Sequence, residues 1–262
     1  MKLSRIIKKV RRDGIRPISD YIKTNIFKTK TPFFKQIKNQ FRDKAGLEIG
    51  GPSMIFKPEG YIPLYTILKQ ADGCNFNNTT VWEGNIKEGM TYDVGARDVG
   101  IQYIRDSVDL NGIKDGTYDF ILSSHSLEHI ANPIKALKEW LRVLKKGGGI
   151  LLILPDQKFT FDNKRPVTEF SHLLMDYEKG ATEEDLTHLE EILSLHDLSR
   201  DEDAGTEADF KARSLQNFNN RCLHHHVYDL SLLREIFSHL NVEVCFEETT
   251  SPYNHIIVGK KR

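Results

Sequence analysis

The architecture of this chain is set by seven residues, Leu47-Glu48-Ile49-Gly50-Gly51-Pro52-Ser53. They read as a short apolar strand that contains an acid and runs directly into a glycine turn. Glycine lets a backbone approach a ligand closely, because no Cβ stands in the way. Such a strand is typical of the first strand of an α/β fold that binds a nucleotide-type ligand, and partner strands are therefore expected downstream.

Two further strands are predicted on the C-terminal side. Residues 118–123 are a mostly apolar run that leads into small polar residues, and residues 150–154 are all apolar, as in a central parallel strand. Between them, Asn132 and Pro133 form a helix start, with a capping residue followed by a first-turn proline. Strands joined in this way place their carboxyl ends at one edge of the sheet, where α/β folds bind ligands.

These strands and turns resemble the class I S-adenosylmethionine-dependent methyltransferases, especially the type 11 group, over residues 45–160. The resemblance implies an α/β, Rossmann-like fold with a seven-stranded sheet, a last strand that is antiparallel, and an α-helical lid insertion. It also implies an enzyme, an S-adenosylmethionine-dependent methyltransferase, with S-adenosyl-L-methionine as cofactor and S-adenosyl-L-homocysteine as product. The turn lacks G-x-G-x-x-G, and Pro52 removes an N–H that a pyrophosphate would use, so NAD fits less well.

The resemblance assigns cofactor contacts along the first strand and its turn. Glu48, Gly50 and Gly51 are expected at the methionine end, and Pro52 and Ser53 complete the turn. An acid beside this turn suits a cofactor that carries an ammonium and a sulfonium group.

The ribose and the adenine are assigned to the ends of the second and third strands. No acid follows the second strand, so Asn77 is expected to bind the ribose, with Asn78 or Glu83 as alternatives. Asp106, with Ser107 beside it, is expected to hold the adenine amine, and Asp109 is the alternative.

The predicted chemistry lies after the fourth strand. Ser123 and Ser124 are expected to contact the cofactor. His125 is the first candidate for a general base, because imidazole titrates near neutral pH, and Asp156 is the second. Glu128-His129 is expected to cap a helix or to close the pocket, with catalysis as the alternative.

Residues 157–226 are polar and rich in histidine, and they are predicted to form a helical lid. Arg165 is expected to bind a carboxylate or phosphate on the acceptor, or else to pair with Asp162 or Glu169. Substrate contacts are also expected from the adjacent residues His224, His225 and His226. No metal is predicted; the alternative needs His224 and His226 plus a ligand such as His188, Glu191 or His196.

The acceptor prediction rests on a second resemblance. Thr160-Phe161-Asp162 and Arg165-Pro166 resemble a pattern found in type 11 methyltransferases among glycan-building enzymes. O-methylation of a sugar hydroxyl, on a glycan or a nucleotide-sugar, is therefore expected. The alternatives are a small-molecule N-methyltransferase, and an RNA-binding or non-catalytic relative.

The charges are divided unevenly along a chain with no net charge. Residues 1–44 contain 14 Lys+Arg and 3 Asp+Glu, and the rest is acidic by the same net amount. This basic segment is predicted to be helical, packing on its own domain or meeting a peripheral membrane or another anionic partner. Nucleic acid is not expected, because no basic and aromatic strand platform is visible.

The predicted organisation has four parts: a basic helical segment (1–44), a cofactor-binding core (45–156), a lid (157–226) and a C-terminal helix with closing strands (227–262). No integral membrane segment is predicted. Three scattered cysteines without a Cys-x-x-Cys favour a reducing compartment, so a cytoplasmic location is expected.

Overall fold

A single eight-stranded sheet organises the computed structural model, which describes residues 32–201, 203–250 and 254–262. Its strands are β1 (Ala45–Ile49), β2 (Gln70–Asn75), β3 (Gly89–Tyr92), β4 (Gly100–Ile104), β5 (Tyr118–Ser124), β6 (Leu144–Pro155), β7 (Val242–Thr250) and β8 (Asn254–Lys261). Their spatial order is β3-β4-β2-β1-β5-β6-β8-β7.

Five strands, β4-β2-β1-β5-β6, run parallel and form the centre of the sheet. The chain winds outward from β1 in one direction and from β5 in the other, so the switch point lies between these two strands. Ligands of doubly wound folds bind at the carboxyl ends beside this point. The prediction of an α/β, Rossmann-like sheet is confirmed.

The number of strands needs a correction. The short strand β3 pairs antiparallel with β4 and extends the predicted seven strands to eight. Its four residues follow a run of loop residues and are too few to show a periodic pattern, so no sequence signal predicts this strand. The last strand, β8, is antiparallel to both β6 and β7, as predicted.

The helices are α1 (Pro32–Phe41), α2 (Pro133–Val143), α3 (Phe170–Lys179), α4 (Leu189–Leu195), α5 (Glu207–Ser214), α6 (Asn217–Asn220) and α7 (Leu230–His239). Helix α2 begins as predicted, since the side chain of Asn132 accepts from Lys135 N at 3.0 Å. Helices α3 to α6 lie within residues 157–226, which the sequence predicts to be helical.

The two faces of the sheet carry separate cores, because successive strand residues point in opposite directions. Ile121 packs with Trp140 of α2 and Ile236 of α7 on one face. Phe120 packs with Phe41 of α1 on the other. Helix α1 therefore packs against its own domain, and its aromatic residues are buried there.

Much of the predicted basic segment, residues 1–31, lies outside the described residues, and the expectation of an anionic partner rests largely on it. Among the residues that are described, no helix combines the length and apolar character that crossing a membrane requires.

We expect Leu151→Ala to lower the free energy of unfolding by about 2–5 kcal/mol, because it leaves a cavity in the fully buried centre of β6. The matched control is Met90→Ala on β3, where the side chain is 63% exposed and the change should stay within about 0.5 kcal/mol. Urea denaturation of both variants measures the difference. Equal losses would contradict this account of the core.

Candidate functional site

A cleft of about 1020 Å³ opens at the carboxyl ends of the parallel strands. Each of the five central strands reaches it, through Gly50 after β1, Asn75 at the end of β2, Asp106 after β4, Ser124 at the end of β5 and Pro155 at the end of β6. Small-molecule pockets usually measure about 300–1,000 Å³. The cleft therefore has room for a nucleoside-type cofactor together with an acceptor.

The glycine turn forms one wall of the cleft. Gly50 has a φ of 75°, and a Cβ added to it would lie 2.2 Å from Ser126 Oγ. Only glycine fits this position, which brings bare backbone to the cleft surface. Gly50, Pro52 and Ser53 line the cleft as predicted, whereas Gly51 lies behind them and accepts from Asn75 Nδ2 at 2.9 Å.

The expected role of Glu48 needs a correction, since its side chain is fully buried and does not line the cleft. Its Oε1 accepts from the backbone N and the Oγ of Ser53, at 3.0 and 2.6 Å. Its Oε2 accepts from the hydroxyls of Tyr65 and Tyr92, at 2.6 and 2.7 Å. Burial raises its pKa, against the opposing effect of these donors. Glu48 therefore shapes the turn and leaves no oxygen for the cofactor.

Asn77, the predicted ribose contact, needs a correction because it does not line the cleft. Asn77 is exposed, and its Oδ1 accepts from Asn78 N at 2.7 Å. Asn75 ends β2, lines the cleft and is buried. The sequence pattern predicts the second strand at residues 74–77, but β2 spans Gln70–Asn75 and so ends two residues earlier.

Asp106, which is predicted to hold the adenine amine, reaches the cleft and has an unpredicted ionic partner. Asp106 and Ser107 both line the cleft. Asp106 Oδ2 pairs with Arg221 Nη2 at 3.0 Å, and Arg221 Nη1 pairs with Glu183 Oε1 at 2.7 Å. Arg221 thus joins the predicted lid to the sheet at this end of the cleft.

Of the residues predicted to reach the cleft at the end of β5, only some do so. Ser124 and His125 line the cleft, but Ser123 is buried on the opposite side of the strand and needs a correction. The Nε2 of His125 donates to Asn254 Oδ1 at 2.8 Å. Asp156 is also corrected: it is buried away from the cleft, and it caps a short turn by accepting from Lys158 N at 3.1 Å.

A buried acidic and imidazole group lies beside these residues. The side chain of His224 lines the cleft and hydrogen-bonds through Nδ1 to Asp162 Oδ2. Glu128 and His129 line the cleft too, and both carboxylate oxygens of Glu128 are buried without a hydrogen bond. One polar atom from each of Glu128, His129 and His224 lies within 4.8 Å of the others. A structural role is the sequence-based prediction for Glu128-His129, because spacing along the chain cannot show what these side chains face.

The pKa values of two cleft histidines, His224 and His129, shift in opposite directions. Burial opposes the charged form of its imidazole, yet the Asp162 carboxylate raises the pKa of His224 overall. Burial also opposes ionisation of Asp162, but His224 and Arg165 lower the pKa of that carboxyl to about 2. His129 lacks such an anion, and burial together with the nearby histidines lowers its pKa well below the ordinary value.

A column of rings continues from the cleft into the insertion formed by residues 157–226. The centroid separations are 4.5 Å for His129–His224, 4.7 Å for His224–Phe161, 4.5 Å for Phe161–His196 and 4.0 Å for His196–Phe210. Phe210 belongs to the small apolar core of the insertion. The cleft wall and this core are therefore in continuous contact.

Three predicted substrate contacts need correction, because Arg165, His225 and His226 are buried and do not line the cleft. Arg165 pairs with Asp162 and Glu191, and it donates to the carbonyl oxygens of His224 and His225, at 2.8 and 3.2 Å. The ion-pair alternative for Arg165 was the correct one. It orients the segment that carries His224.

His225 and His226 point into the protein interior. His225 Nε2 accepts from Asn217 Nδ2 at 2.9 Å, and burial lowers the pKa of His225 to about 3. His226 Nε2 lies 3.2 Å from the Ala131 carbonyl oxygen. Of the three adjacent histidines, only His224 therefore reaches the cleft.

The comparisons with known proteins agree with this geometry. The family described as "Methyltransferase domain" matches residues 68–152, which run from β2 to the middle of β6. This match spans 85 of the chain's 262 residues. The predictions of an S-adenosylmethionine-dependent methyltransferase and of S-adenosylmethionine as its cofactor are confirmed. No curated protein matches the sequence.

Solved structures with similar chain paths have low sequence identity. A SAM-dependent methyltransferase from Aquifex aeolicus is 14% identical with a TM-score of 0.45, covering 91% of this chain and 98% of that one. A 1,6-didemethyltoxoflavin-N1-methyltransferase from Burkholderia thailandensis is 10% identical with a TM-score of 0.47, covering 100% and 91%. A possible exported protein from Bordetella parapertussis is 9% identical with a TM-score of 0.43, covering 87% of this chain and 65% of that one.

The glycine turn can be tested directly by a substitution at Gly50. We expect Gly50→Ala to weaken the binding of S-adenosylhomocysteine about tenfold or more, because the added Cβ meets Ser126 Oγ and displaces the turn. The matched control is Gly180→Ala after α3, which has a φ of 68° and open space around the added Cβ. Calorimetric titration of both variants separates the effect on the cleft from backbone strain. Equal affinities would contradict the assigned role of Gly50.

Proposed function

We propose that this methyltransferase transfers a methyl group to a hydroxyl of a polar acceptor of the sugar class, on a glycan or a nucleotide-sugar. The observation that carries the proposal is His224, which lines the cleft and hydrogen-bonds to the buried carboxylate of Asp162. A hydroxyl must lose its proton during methyl transfer, and a positioned histidine is the commonest group to take one. The resemblance of Thr160-Phe161-Asp162 to glycan-modifying relatives supports the acceptor class.

The cleft residues fit the cofactor. Gly50 presents backbone without a Cβ, Asn75 supplies an amide at the ribose position, and Asp106 supplies a carboxylate at the adenine position. When bound, S-adenosylmethionine supplies a methyl group on a positively charged sulfur. Glu128 faces the same cleft with both carboxyl oxygens unpaired, and burial raises the pKa of this group.

His224 is the proposed general base. Its Nδ1 is held by Asp162, so the proton of the neutral ring stays on Nδ1 and the Nε2 lone pair remains available. After proton transfer, the Asp162 carboxylate stabilises the imidazolium, as an acid does behind a catalytic histidine. His125 is less suited, because its Nε2 already donates to Asn254.

The lining of the cleft suits an acceptor with several hydroxyl groups. Carboxylates, imidazoles and hydroxyls from both the sheet and the insertion face it, including Thr160, Glu128 and His129. Buried polar groups of this kind gain most from a ligand that can hydrogen-bond to them. An apolar acceptor would leave the oxygens of Glu128 unpaired.

A second candidate is N-methylation of a small amine. The unpaired carboxylate of Glu128 could hold a cationic amine, and Trp82 and Phe161 add aromatic surface to the same cleft. Product analysis separates the two, since an O-methyl ether and an N-methyl amine differ in mass fragmentation and in resistance to acid.

The first experiment is calorimetric titration of S-adenosylhomocysteine into the full-length protein, followed by a screen of sugar and amine acceptors. We expect micromolar one-site binding and methyl transfer to a sugar hydroxyl. The absence of binding would remove the cofactor assignments. Binding with transfer only to amines would instead support the second candidate.

We expect His224→Asn to lower kcat roughly 10²–10⁴-fold, because it removes the proton acceptor. Binding of S-adenosylhomocysteine should stay unchanged. The matched variant is His125→Asn, which alters a histidine in the same cleft and should retain most of the activity. The opposite ranking of the two kcat values would assign the base to His125.

We expect Asp162→Asn to move the acidic limb of the pH–rate profile to lower pH. A base works in its deprotonated form, so the rate rises with pH through the pKa of His224. Asp162 raises that pKa, and its removal must lower it. Profiles of kcat for the wild type and the variant measure the shift, and an unchanged limb would show that His224 does not titrate in the reaction.

A further inference from the structure

A second histidine cluster lies outside the cleft. His172 and Asp176 are one turn apart on α3, His188 precedes α4, and His226 precedes α7. One nitrogen or oxygen atom from each of the four side chains lies within 4.8 Å of the others. None of these residues lines the cleft.

This cluster contains more hydrogen-bond acceptors than donors. His172 Nε2 and His188 Nε2 lie 2.8 Å apart, so one ring nitrogen must donate to the other. Asp176 Oδ2 lies 3.1 Å from His172 Nε2 and 3.7 Å from His226 Nε2, yet this buried oxygen accepts no hydrogen bond. A buried carboxylate oxygen without a donor is costly. Lone pairs that converge in this way would be compensated by a cation.

His226 adds a second unpaired atom. Its Nε2 lies 3.2 Å from the Ala131 carbonyl oxygen, while its Nδ1 is buried without a partner. One ring nitrogen can thus donate to the carbonyl while the other offers a free lone pair. This is the usual arrangement of a metal-binding histidine, whose second nitrogen fixes the tautomer.

We propose that His172, Asp176, His188 and His226 bind a zinc ion. Three imidazoles and one carboxylate form a four-ligand set that suits tetrahedral zinc, whereas magnesium prefers oxygen ligands. Bonds of about 2.0–2.1 Å give ligand separations of about 3.3–3.4 Å in a tetrahedron. The separations of 2.8 Å between His172 Nε2 and His188 Nε2, and of 3.1 Å between His172 Nε2 and Asp176 Oδ2, are slightly shorter than this value.

The burial pattern fits an ion that enters from one side. The side chain of Asp176 is 4% exposed, whereas that of His172 is 28% exposed and leaves a path from solvent. With four protein ligands the site is closed, which is typical of structural zinc. The ion would connect α3 and the residue before α4 to His226, which lies two residues after His224 in the chain. This proposal is independent of the proposed acceptor.

The test is the zinc content of the full-length protein, purified through a tag without histidine and measured by plasma mass spectrometry. We expect one zinc ion per chain in the wild type and at least a tenfold lower content in His188→Gln/His226→Gln. His239→Gln, an exposed histidine on α7, is the matched control and should retain the ion.

A second variant, Asp176→Asn, keeps the side-chain shape and serves where the double variant does not fold, as checked by circular dichroism. We expect added zinc to raise the Tm of wild type stripped with EDTA, and to leave the Tm of Asp176→Asn unchanged. Wild type without zinc, whose Tm does not respond to added zinc, would overturn the proposal. So would zinc retained in both variants.

Discussion

The cleft depends on one buried carboxylate. Glu48 has no contact with solvent, and its two oxygens accept four hydrogen bonds from Ser53, Tyr65 and Tyr92. These donors come from the glycine turn, the segment before β2 and strand β3. A charge buried in this way is tolerated only when its hydrogen bonds are complete. Glu48 therefore fixes the turn against the sheet edge, and the position of Gly50 in the cleft follows from it.

The second constraint is the charged group around Arg165. This guanidinium is buried, and two carboxylates and two backbone carbonyls surround it. Arginine suits such a site because its planar group carries five donors in fixed directions. Through Asp162 and the His224 carbonyl, Arg165 holds both members of the pair that faces the cleft. A residue away from the cleft thereby determines the direction of the imidazole inside it.

The sequence predicted the parts of the fold that local patterns control. The apolar run of β6, the cap at Asn132 and the glycine turn all follow from residues close together in the chain. Strand β3 could not be predicted, because its pairing with β4 depends on the fold rather than on its own composition. Asn75 was missed for a related reason, since an error of a few residues in β2 changes which side chain ends the strand.

The site residues divide in the same way. Gly50, Asp106, Ser124 and His125 reach the cleft because they follow strand ends, which the sequence reveals. Glu48, Arg165 and His226 have side chains suited to ligand binding, but they are buried in the protein interior. Their partners are distant in sequence, as with Glu48 and Tyr92 or His226 and Ala131. No spacing rule can identify such pairs, so burial decides between a binding role and a structural one.

The ring column from His129 to Phe210 has a consequence for protein engineering. Its first member, His129, follows β5, whereas the other four rings lie within residues 157–226, and each ring touches the next. Exchanging residues 157–226 for the insertion of another enzyme would break this stack at His129. A chimaera made to change acceptor specificity therefore has to carry the matching residues of the loop after β5 as part of the same exchanged unit.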